Sequence, residues 1–546
     1  MKIYHKFLLY QNKLLKPYVR ILLGLVEALT YLASLLLIVG VVYEHGFPLS
    51  IDEVANLQTL YKTVWIIFLI DVTLHISLEY RNTKKQYRRL AWILSGLLYL
   101  TLVPVIFHRP EEEGAILHIW EFLHGKFYHL LLLLVLSFLN LSNGLVRLLG
   151  RRTNPSLILA VSFMAIILIG AGLLMLPRCT VNGITWVDSL FTATSAVCVT
   201  GLVPVDVSTT FTTSGLVVII LLIQIGGLGV MTLTSFFAMF FMGNTSIYNQ
   251  LVVRDMVSSN SLGSLLSTLL YILGFTLVIE GIGMVSIWFS IHGTLGMTLE
   301  GELGFAAFHS ISAFCNAGFS TLSGNLGNPM VMTNHNWLFI TVSLLIIFGG
   351  IGFPILFNYG RLLHYGIRNK IKCLLGMNYK VVYEPRIVST TTRIVLPTTL
   401  ILLVVGTALF WIFENHNVLD GMSFTGKFAT SFMAAVTPRT AGFNNVNMPM
   451  LHVPTILLTI ALMWIGAAPM STGGGIKVTT FVIALKNIWA NLLGNDRVVI
   501  AHRQLTRENV NRAHSIIMLS ILWIILAVFV IVVLEPKATL TQAVFE

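Results

Sequence analysis

Phe191-Thr-Ala-Thr-Ser-Ala-Val-Cys-Val-Thr-Gly-Leu202 has two further copies in the chain, Phe308-His-Ser-Ile-Ser-Ala-Phe-Cys-Asn-Ala-Gly-Phe319 and Phe432-Met-Ala-Ala-Val-Thr-Pro-Arg-Thr-Ala-Gly-Phe443. In each, a Phe stands ten residues before a Gly, and Leu or Phe follows the Gly. The glycines at 201, 318 and 442 are 117 and 124 residues apart. That spacing is too long for a solenoid unit and fits two membrane spans with a re-entrant loop between them. Ten or so small and apolar residues cannot cross ~30 Å of hydrocarbon, so the segment must turn back. Non-helical backbone at that depth persists only where protein or a water-filled pore covers it. A short helix followed by a glycine-containing strand, its carbonyls facing an aqueous axis, meets that condition. Rings of carbonyls are also how cation pores replace an ion's hydration shell. The bland alternative, Gly breaks between ordinary core helices, fits one loop as well but fits three in phase less well.

Composition agrees with a membrane chain. Of 546 residues, 56% are hydrophobic and 10% charged, with a mean hydropathy of +0.83, whereas soluble domains carry roughly a quarter charged residues. The cysteines at 179, 198, 315 and 373 have neither CxxC nor Cys/His ligand spacing, so neither zinc nor a disulfide framework is indicated. The net charge of +11 falls mostly in loops between spans, which argues against nucleic acid as a partner.

Read in order, residues 1–153 hold four apolar spans, Ile21 to Tyr43, Tyr61 to Leu78, Leu90 to Phe107 and Phe127 to Leu149. The connection with Glu44, Asp52 and Glu53 is acidic, while the next carries Arg81, Lys84, Lys85, Arg88 and Arg89. The positive-inside rule therefore puts the second connection and the amino terminus in the cytoplasm. The Arg81–Arg89 cluster is a topology signal more readily than a lipid site. Glu27 and Asp71 are intramembrane carboxylates, open to a structural role or to tuning a pathway.

Three modules follow, at 154–250, 251–368 and 369–498. Their outgoing spans are Leu157 to Leu176, Leu265 to Ile291 and Val395 to Phe413; their returning spans are Thr213 to Met242, Trp337 to Phe357 and Ile456 to Leu493. Basic residues fall where the inside is expected, at Arg361, Arg368, Lys370 and Lys372 and again at Lys486, Arg497, Arg503, Arg507 and Arg512. All three loops thus open to one side. Residues 499–546 begin a fourth module, whose glycine would fall at about 555 to 566 by the repeat spacing, so the expectation is an incomplete fourth quarter and a truncated product. The fold class expected is an all-α membrane protein, three complete modules plus the start of a fourth around a pore, with four extra N-terminal transmembrane helices.

The third returning span contains Gly466-Ala-Ala-Pro-Met-Ser-Thr-Gly-Gly-Gly-Ile-Lys477. Proline removes a donor and each glycine weakens a helix by ~1 kcal/mol, so the span breaks there. Ser471, Thr472, Gly473, Gly474, Gly475 and Lys477 are placed to block a pore and move aside. Lys477 at mid-membrane costs at least ~2.5 kcal/mol unless it faces a cavity or a partner. The alternative is a Pro/Gly kink with Lys477 snorkelling inward.

At these residues, above all Thr437-Pro-Arg-Thr-Ala-Gly-Phe-Asn444 and Ser471-Thr-Gly-Gly-Gly-Ile-Lys-Val-Thr-Thr480, the sequence resembles the Trk/Ktr/HKT family of potassium uptake proteins, in its bacterial Ktr- or Trk-type membrane subunit, from about Leu157 to Glu546. The resemblance implies four such modules, one glycine per filter loop and a homodimer. It also implies a cytoplasmic nucleotide-binding ring of RCK/KTN type, through which alone a nucleotide would act. Carried over, the filter glycines are Gly201, Gly318 and Gly442, completed by the carbonyls of Val199, Thr200, Asn316, Ala317, Thr440 and Ala441. Glycine in every loop points to potassium as the transported ion, with sodium coupling or sodium permeation as the alternative in the same family. Arg439 either braces the filter by hydrogen-bonding loop carbonyls or faces the ion. In the second case Arg439→Gln changes apparent affinity more than stability. A non-conducting membrane scaffold remains a separate class. An enzyme is disfavoured, because no paired carboxylates, Ser/His/Asp set or metal-ligand cluster stands at useful spacing, and His309 alone reads as a packing residue.

Overall fold

The computed structural model describes residues 2–86, 89–106, 115–149, 155–229, 265–332, 335–353, 355–356, 360, 390–469, 471–495, 497–500, 503–505, 507–537 and 539–545. The basic residues expected at 361–372, and Cys373, lie outside the described residues. The described chain is overwhelmingly helical. Its extended pairings are a two-residue antiparallel pair, Val499–Ile500 with Arg503–Gln504, and two isolated bridges.

Two compact units are distinguished, one taking in Met1–Ser162 and Leu176–Cys179, the other Phe163–Met175, Thr180–Val230 and Ser267–Glu546. The first contains helices α1 (Lys2–Gly46), α2 (Ile51–Gln86), α3 (Arg89–Leu100) and α4 (Lys126–Leu149). Leu37, Phe68, Leu98 and Leu133 meet in its core. Lipid tails are as apolar as leucine, so burial alone does not hold membrane helices together, and polar contacts carry part of the work. Here Glu44 of α1 accepts from Tyr61 Oη at 2.7 Å and from Lys126 Nζ, and Trp65 donates to Thr101 at 2.7 Å. Asp71 pairs with His75 one turn on, at 3.2 Å.

The second unit holds the three quoted stretches. α5 (Pro155–Leu174) leads into it, and three short helices follow at the expected places, α6 (Trp186–Cys198), α9 (Leu299–Phe314) and α12 (Phe424–Val436). The longer elements between them are α7 (Thr213–Gly227), α8 (Leu265–Ile291), α10 (Asn336–Ile351) and α11 (Thr390–Glu414). α13 (Val453–Trp464), α14 (Val478–Leu492) and α15 (Arg507–Leu534) complete the unit. Among the described residues, five helical stretches are long and apolar enough to cross a membrane: Ile21–Gly46, Ile51–His75, Ile272–Ile291, Thr392–Glu414 and Arg507–Leu534. The core is continuous around α9 and α10, where Phe305, Phe339, Val342, Met433 and Phe443 pack together. A second cluster joins Ala193, Ala196, Ile219, Ile223, Phe308 and Phe319.

The returning spans differ from the expectation of one break in three. The third is interrupted between α13 and α14, as its Pro/Gly content predicts. The second, expected as a single helix from Trp337 to Phe357, also ends early, at Ile351, with Gly352 at φ +94°. In the first, α7 ends at Gly227 and Gly229 adopts φ +73°, and the expected continuation to Met242 lies outside the described residues. The cause is steric. A methyl on Gly226 would collide with the carbonyl oxygen of Val197, and one on Gly349 with that of Phe314. Val197 and Phe314 each stand four residues before their loop glycine, so both returning helices run bare backbone against the end of a short helix, and glycine is what permits the approach.

This packing predicts that Gly349→Ala destabilises the protein by about 2 kcal/mol or more, since the obstacle is backbone and cannot turn away. Gly274→Ala, in a position with nothing within 4 Å of a new methyl, is expected to be neutral. Melting curves of the two purified variants in detergent check the pair.

Candidate functional site

Each short helix begins with the same device. Thr185, Thr298 and Ser423 sit in extended backbone and accept through their hydroxyls from the N–H groups of Asp188, Gly301 and Gly426, satisfying one of the free donors of a helix start. This hydroxyl cap marks the start of all three helices and was legible in the sequence as Thr185-Trp-Val-Asp, Thr298-Leu-Glu-Gly and Ser423-Phe-Thr-Gly.

Each helix also ends the same way. Two residues before the glycine the backbone turns left-handed, at Val199 (φ +56°), Asn316 (+60°) and Thr440 (+70°), and the glycines follow at +89°, +72° and +79°. A left-handed conformation costs a non-glycine residue roughly 1–2 kcal/mol, more for β-branched Val and Thr. The strain recurs three times in register, at residues the sequence analysis singled out. Thr200 N and Ala317 N bond back to Ser195 O and Ser312 O, both at 2.8 Å, and Ala441 N to Thr437 O at 3.0 Å, which caps the helices and releases the strand that follows.

The three glycines lie against one another. A methyl built on Gly201 would stand 2.7 Å from Ala317 O and 3.6 Å from Gly318 Cα. On Gly318 it would strike Ala441 O and approach Gly442 Cα to 2.8 Å, and on Gly442 it would lie 3.6 Å from Gly201 Cα and from Thr200 O. Loops separated by more than a hundred residues thus share one point, with the C-terminal ends of α6, α9 and α12 leading to it. Helix C-termini carry partial negative charge, so the arrangement favours a cation.

The loops are braced from behind. Ser312 donates to Phe319 O at 2.8 Å and Thr437 to Phe443 O at 2.7 Å, in both cases the carbonyl just past the glycine. Asn325 donates to Gly318 O at 3.0 Å, and buried His309 bridges Phe305 O and Ser320 Oγ, both at 2.9 Å. The matching hydroxyl of loop 1, Ser195, is buried without a partner.

Arg439 does not reach the loop carbonyls in the contacts described. Its guanidinium is buried and lies 3.4 Å from Gly466 O and 3.5 Å from Thr399 Oγ1, beside a cavity of about 10 Å3 that Ile346, Gly350, Thr399 and Ala467 help to line. The reason is the broken span: where α13 stops, the Gly466 carbonyl leaves the helical ladder, and a buried carbonyl draws a donor.

Residues 465–477 form a folded-back segment closed by an Ile465–Ile476 bridge, with Gly466 N to Ile476 O at 3.0 Å. It is attached to the site at several points. Gly474 N donates to Thr440 Oγ1 at 3.0 Å, Thr472 Oγ1 to Phe314 O at 3.2 Å, Thr472 N to Gly349 O at 3.3 Å and Ala468 N to Gly350 O at 3.0 Å. Ser471 donates to Ala468 O at 2.6 Å. Lys477 curls onto its own segment, with Nζ 2.6 Å from Gly473 O. A methyl on Gly473 would meet Thr440 Oγ1 and stand 2.5 Å from Ala467 Cβ, so the segment is seated with no room for a side chain at that position. The sequence analysis missed the receiving groups, Gly349, Gly350 and the Phe314 carbonyl. Their signal was present, as Gly226-Gly-Leu-Gly229 and Gly349-Gly-Ile-Gly352 repeat one pattern in successive modules.

Beyond the loops, Asp206 ties the first to the second. Its carboxylate accepts from Ser208 N at 2.9 Å, Ser208 Oγ at 2.7 Å and Ser323 Oγ at 2.7 Å. Burial pushes its pKa up, and these hydrogen bonds outweigh that and hold it below the usual value. Glu414 closes the C-terminal end of α11 on His452 N (2.9 Å), Thr455 Oγ1 (2.5 Å) and Asn417 Nδ2 (2.7 Å). Among the described residues, no group of three or more His, Cys, Asp or Glu is arranged to hold a metal.

The family model TrkH, a cation transport protein, matches residues 131–546. The chain is 35% identical to Ktr system potassium uptake protein B of Vibrio alginolyticus, over 72% of this chain and 81% of that protein. It is 32% identical to the potassium/sodium uptake protein NtpJ of Enterococcus hirae, over 71% and 82%. In fold it is similar to the crystal structure of the potassium transporter TrkH from Vibrio parahaemolyticus, with a TM-score of 0.53 at 15% identity, covering 82% of this chain and 84% of that one.

Because the folded-state pKa of Asp206 is depressed, its contribution is complete above the unfolded value near 4 and is lost as pH falls through the folded value. Asp206→Asn is expected to lower the melting temperature at pH 7 and to narrow its gap from the parent protein as pH is taken below 4. Melting in detergent between pH 7 and pH 3 checks this, and a constant gap would assign the effect to shape.

Proposed function

The chain belongs to the TrkH family of cation transport proteins, and on that premise we propose that it carries potassium into the cell through the three-loop site. The observation that carries this reading is the meeting of Gly201, Gly318 and Gly442, each two residues after a left-handed turn. In this arrangement Val199, Thr200, Asn316, Ala317, Thr440 and Ala441 offer carbonyls along the path, and the ion exchanges water for them. A membrane potential of about 100 mV is worth ~2.3 kcal/mol per charge, which sustains roughly 50-fold accumulation without a coupling ion.

The segment with Ser471, Thr472, Gly473, Gly474, Gly475 and Lys477 acts as the gate below the loops. Its hold on Thr440 and on the end of α9 supports this, because opening requires only hydrogen bonds to exchange partners. Arg439 ties the start of that segment to α11, a bracing role at the hinge. The family's cytoplasmic regulatory subunits supply the control of opening, with a nucleotide acting only through them, and the membrane unit works as a homodimer with its amino terminus in the cytoplasm. A second reading, passage of sodium as well as potassium, is favoured by the likeness to a protein named for both ions.

The test is growth of a potassium-uptake-deficient bacterium in low potassium with the chain expressed beside a nucleotide-binding regulatory ring. Rescue is expected, and Gly442→Ser is expected to lower the preference for potassium over sodium by about tenfold, the loss of one well-placed carbonyl contact. Growth no better than the empty strain, with the protein present in the membrane, would overturn the transport reading in favour of a scaffold.

A further inference from the structure

Glu280 stands within the apolar stretch Ile272–Ile291 of α8 and is only 6% exposed. It is not among the residues that form the loops or the gate, yet two elements from two modules, α7 and α9, converge on it. Gln224 of α7 donates through Nε2 to Glu280 Oε2 at 3.2 Å. Cys315, the residue that ends α9 and precedes Asn316, places its Sγ 3.9 Å from Glu280 Oε1 and 3.8 Å from Gln224 Oε1. Ser310 of α9 donates to the Glu280 main-chain carbonyl at 2.7 Å.

Among the described residues, no counter-charge stands in this cluster. The elements packed here, α7, α9 and α10, contain no Lys or Arg. Their titratable groups are Cys315, His309 and, at the outer start of α9, Glu300 and Glu302. His309 is engaged by Phe305 and Ser320, and Glu302 by His292 and Gly293 N, both at 2.8 Å. A buried charge with donors but no partner costs several kcal/mol, whereas a leucine at this depth costs nothing. The carboxylate is held in place by an amide donor, directly behind the turn that carries Asn316, Ala317 and Gly318.

We propose that Glu280 is a specificity-determining positioning residue for cation passage. Its carboxylate supplies, from behind the second loop, the negative charge that the ion meets at Asn316–Gly318, and its links to Gln224 and Cys315 fix the turn there. The inference rests on the transport reading above, and it adds a residue that touches neither the ion nor the gate.

The experiment is rubidium uptake, with half-saturating concentration and maximal rate measured separately, in the same deficient strain carrying the full chain and its regulatory ring. Glu280→Gln keeps the shape and the hydrogen-bonding reach but removes the charge. It is expected to raise the half-saturating concentration about tenfold, the scale of one unit charge acting on another through partly screened protein. Maximal rate is expected to stay unchanged and melting temperature to hold or rise, and Glu280→Asp to recover most of the affinity. Gln224→Leu supplies a second reading if Glu280→Gln does not accumulate: loss of the amide donor raises half-saturation at constant maximal rate.

Unchanged half-saturation in these variants overturns the proposal. So does a fall in rate and melting temperature together at constant half-saturation, which marks a purely structural carboxyl. Gly318→Ser separates the two levels. If it alters ion preference while the Glu280 and Gln224 variants do not, only this inference fails; if the parent protein takes up no rubidium, the transport reading fails and this one with it.

Discussion

Irregular backbone inside a membrane must have every N–H and C=O satisfied by the protein itself or by a water-filled path, because the lipid offers nothing. Three stretches of this chain leave the helix after α6, α9 and α12, and a fourth does so between α13 and α14. Most features of the second unit answer that constraint. The hydroxyl caps at Thr185, Thr298 and Ser423 settle one end of each short helix, and the back-bonds to Ser195, Ser312 and Thr437 settle the other. Ser312, Thr437 and Asn325 then take up carbonyls in the second and third strands. The carbonyls taken up this way are thereby settled within the protein.

The broken third span obeys the same rule by a different route. Its loss of helix frees donors and acceptors on both sides of the break, and they are reclaimed by pairing the segment with itself, with Gly349 and Gly350, and with Thr440 and Phe314. Arg439 belongs to this set through Gly466. The segment is held by single hydrogen bonds from several elements, each contributing only about 1 kcal/mol net. The same number of contacts made by packed side chains would fix it in place.

Local pattern carried much of this architecture and stopped where contacts between distant modules began. The membrane class, the helical fold and the short helices before Gly201, Gly318 and Gly442 follow from composition, span length and a ten-residue interval, each readable in one window. The break after Trp464 was legible because Pro469 and three consecutive glycines stand together. The end of α10 at Ile351 was not, because Gly349 and Gly350 lower helix propensity by an amount that tertiary packing can reverse, and the deciding fact is the Phe314 carbonyl thirty-five residues earlier in sequence. Arg439 illustrates the same limit. Its neighbours in sequence are loop residues, and its partners, Thr399 and Gly466, are 40 and 27 positions away.

The three loops are alike in backbone and unlike in support. Loop 2 is buried along its length from Ser312 to Ser320, and its strand is held by Ser312, Asn325 and His309. In loop 1 Thr200 is exposed, and Ser195, the counterpart of Ser312, has no partner for its hydroxyl. Asp206 compensates by lashing the strand after loop 1 to Ser323, which follows loop 2. The buried loop is thus tied to the exposed one. Glu280, Gln224 and Cys315 all bear on the base of loop 2, whose glycine packs against those of both other loops. An error in placement there would reach the whole site, whereas an error at loop 1 would be absorbed by the exposed strand.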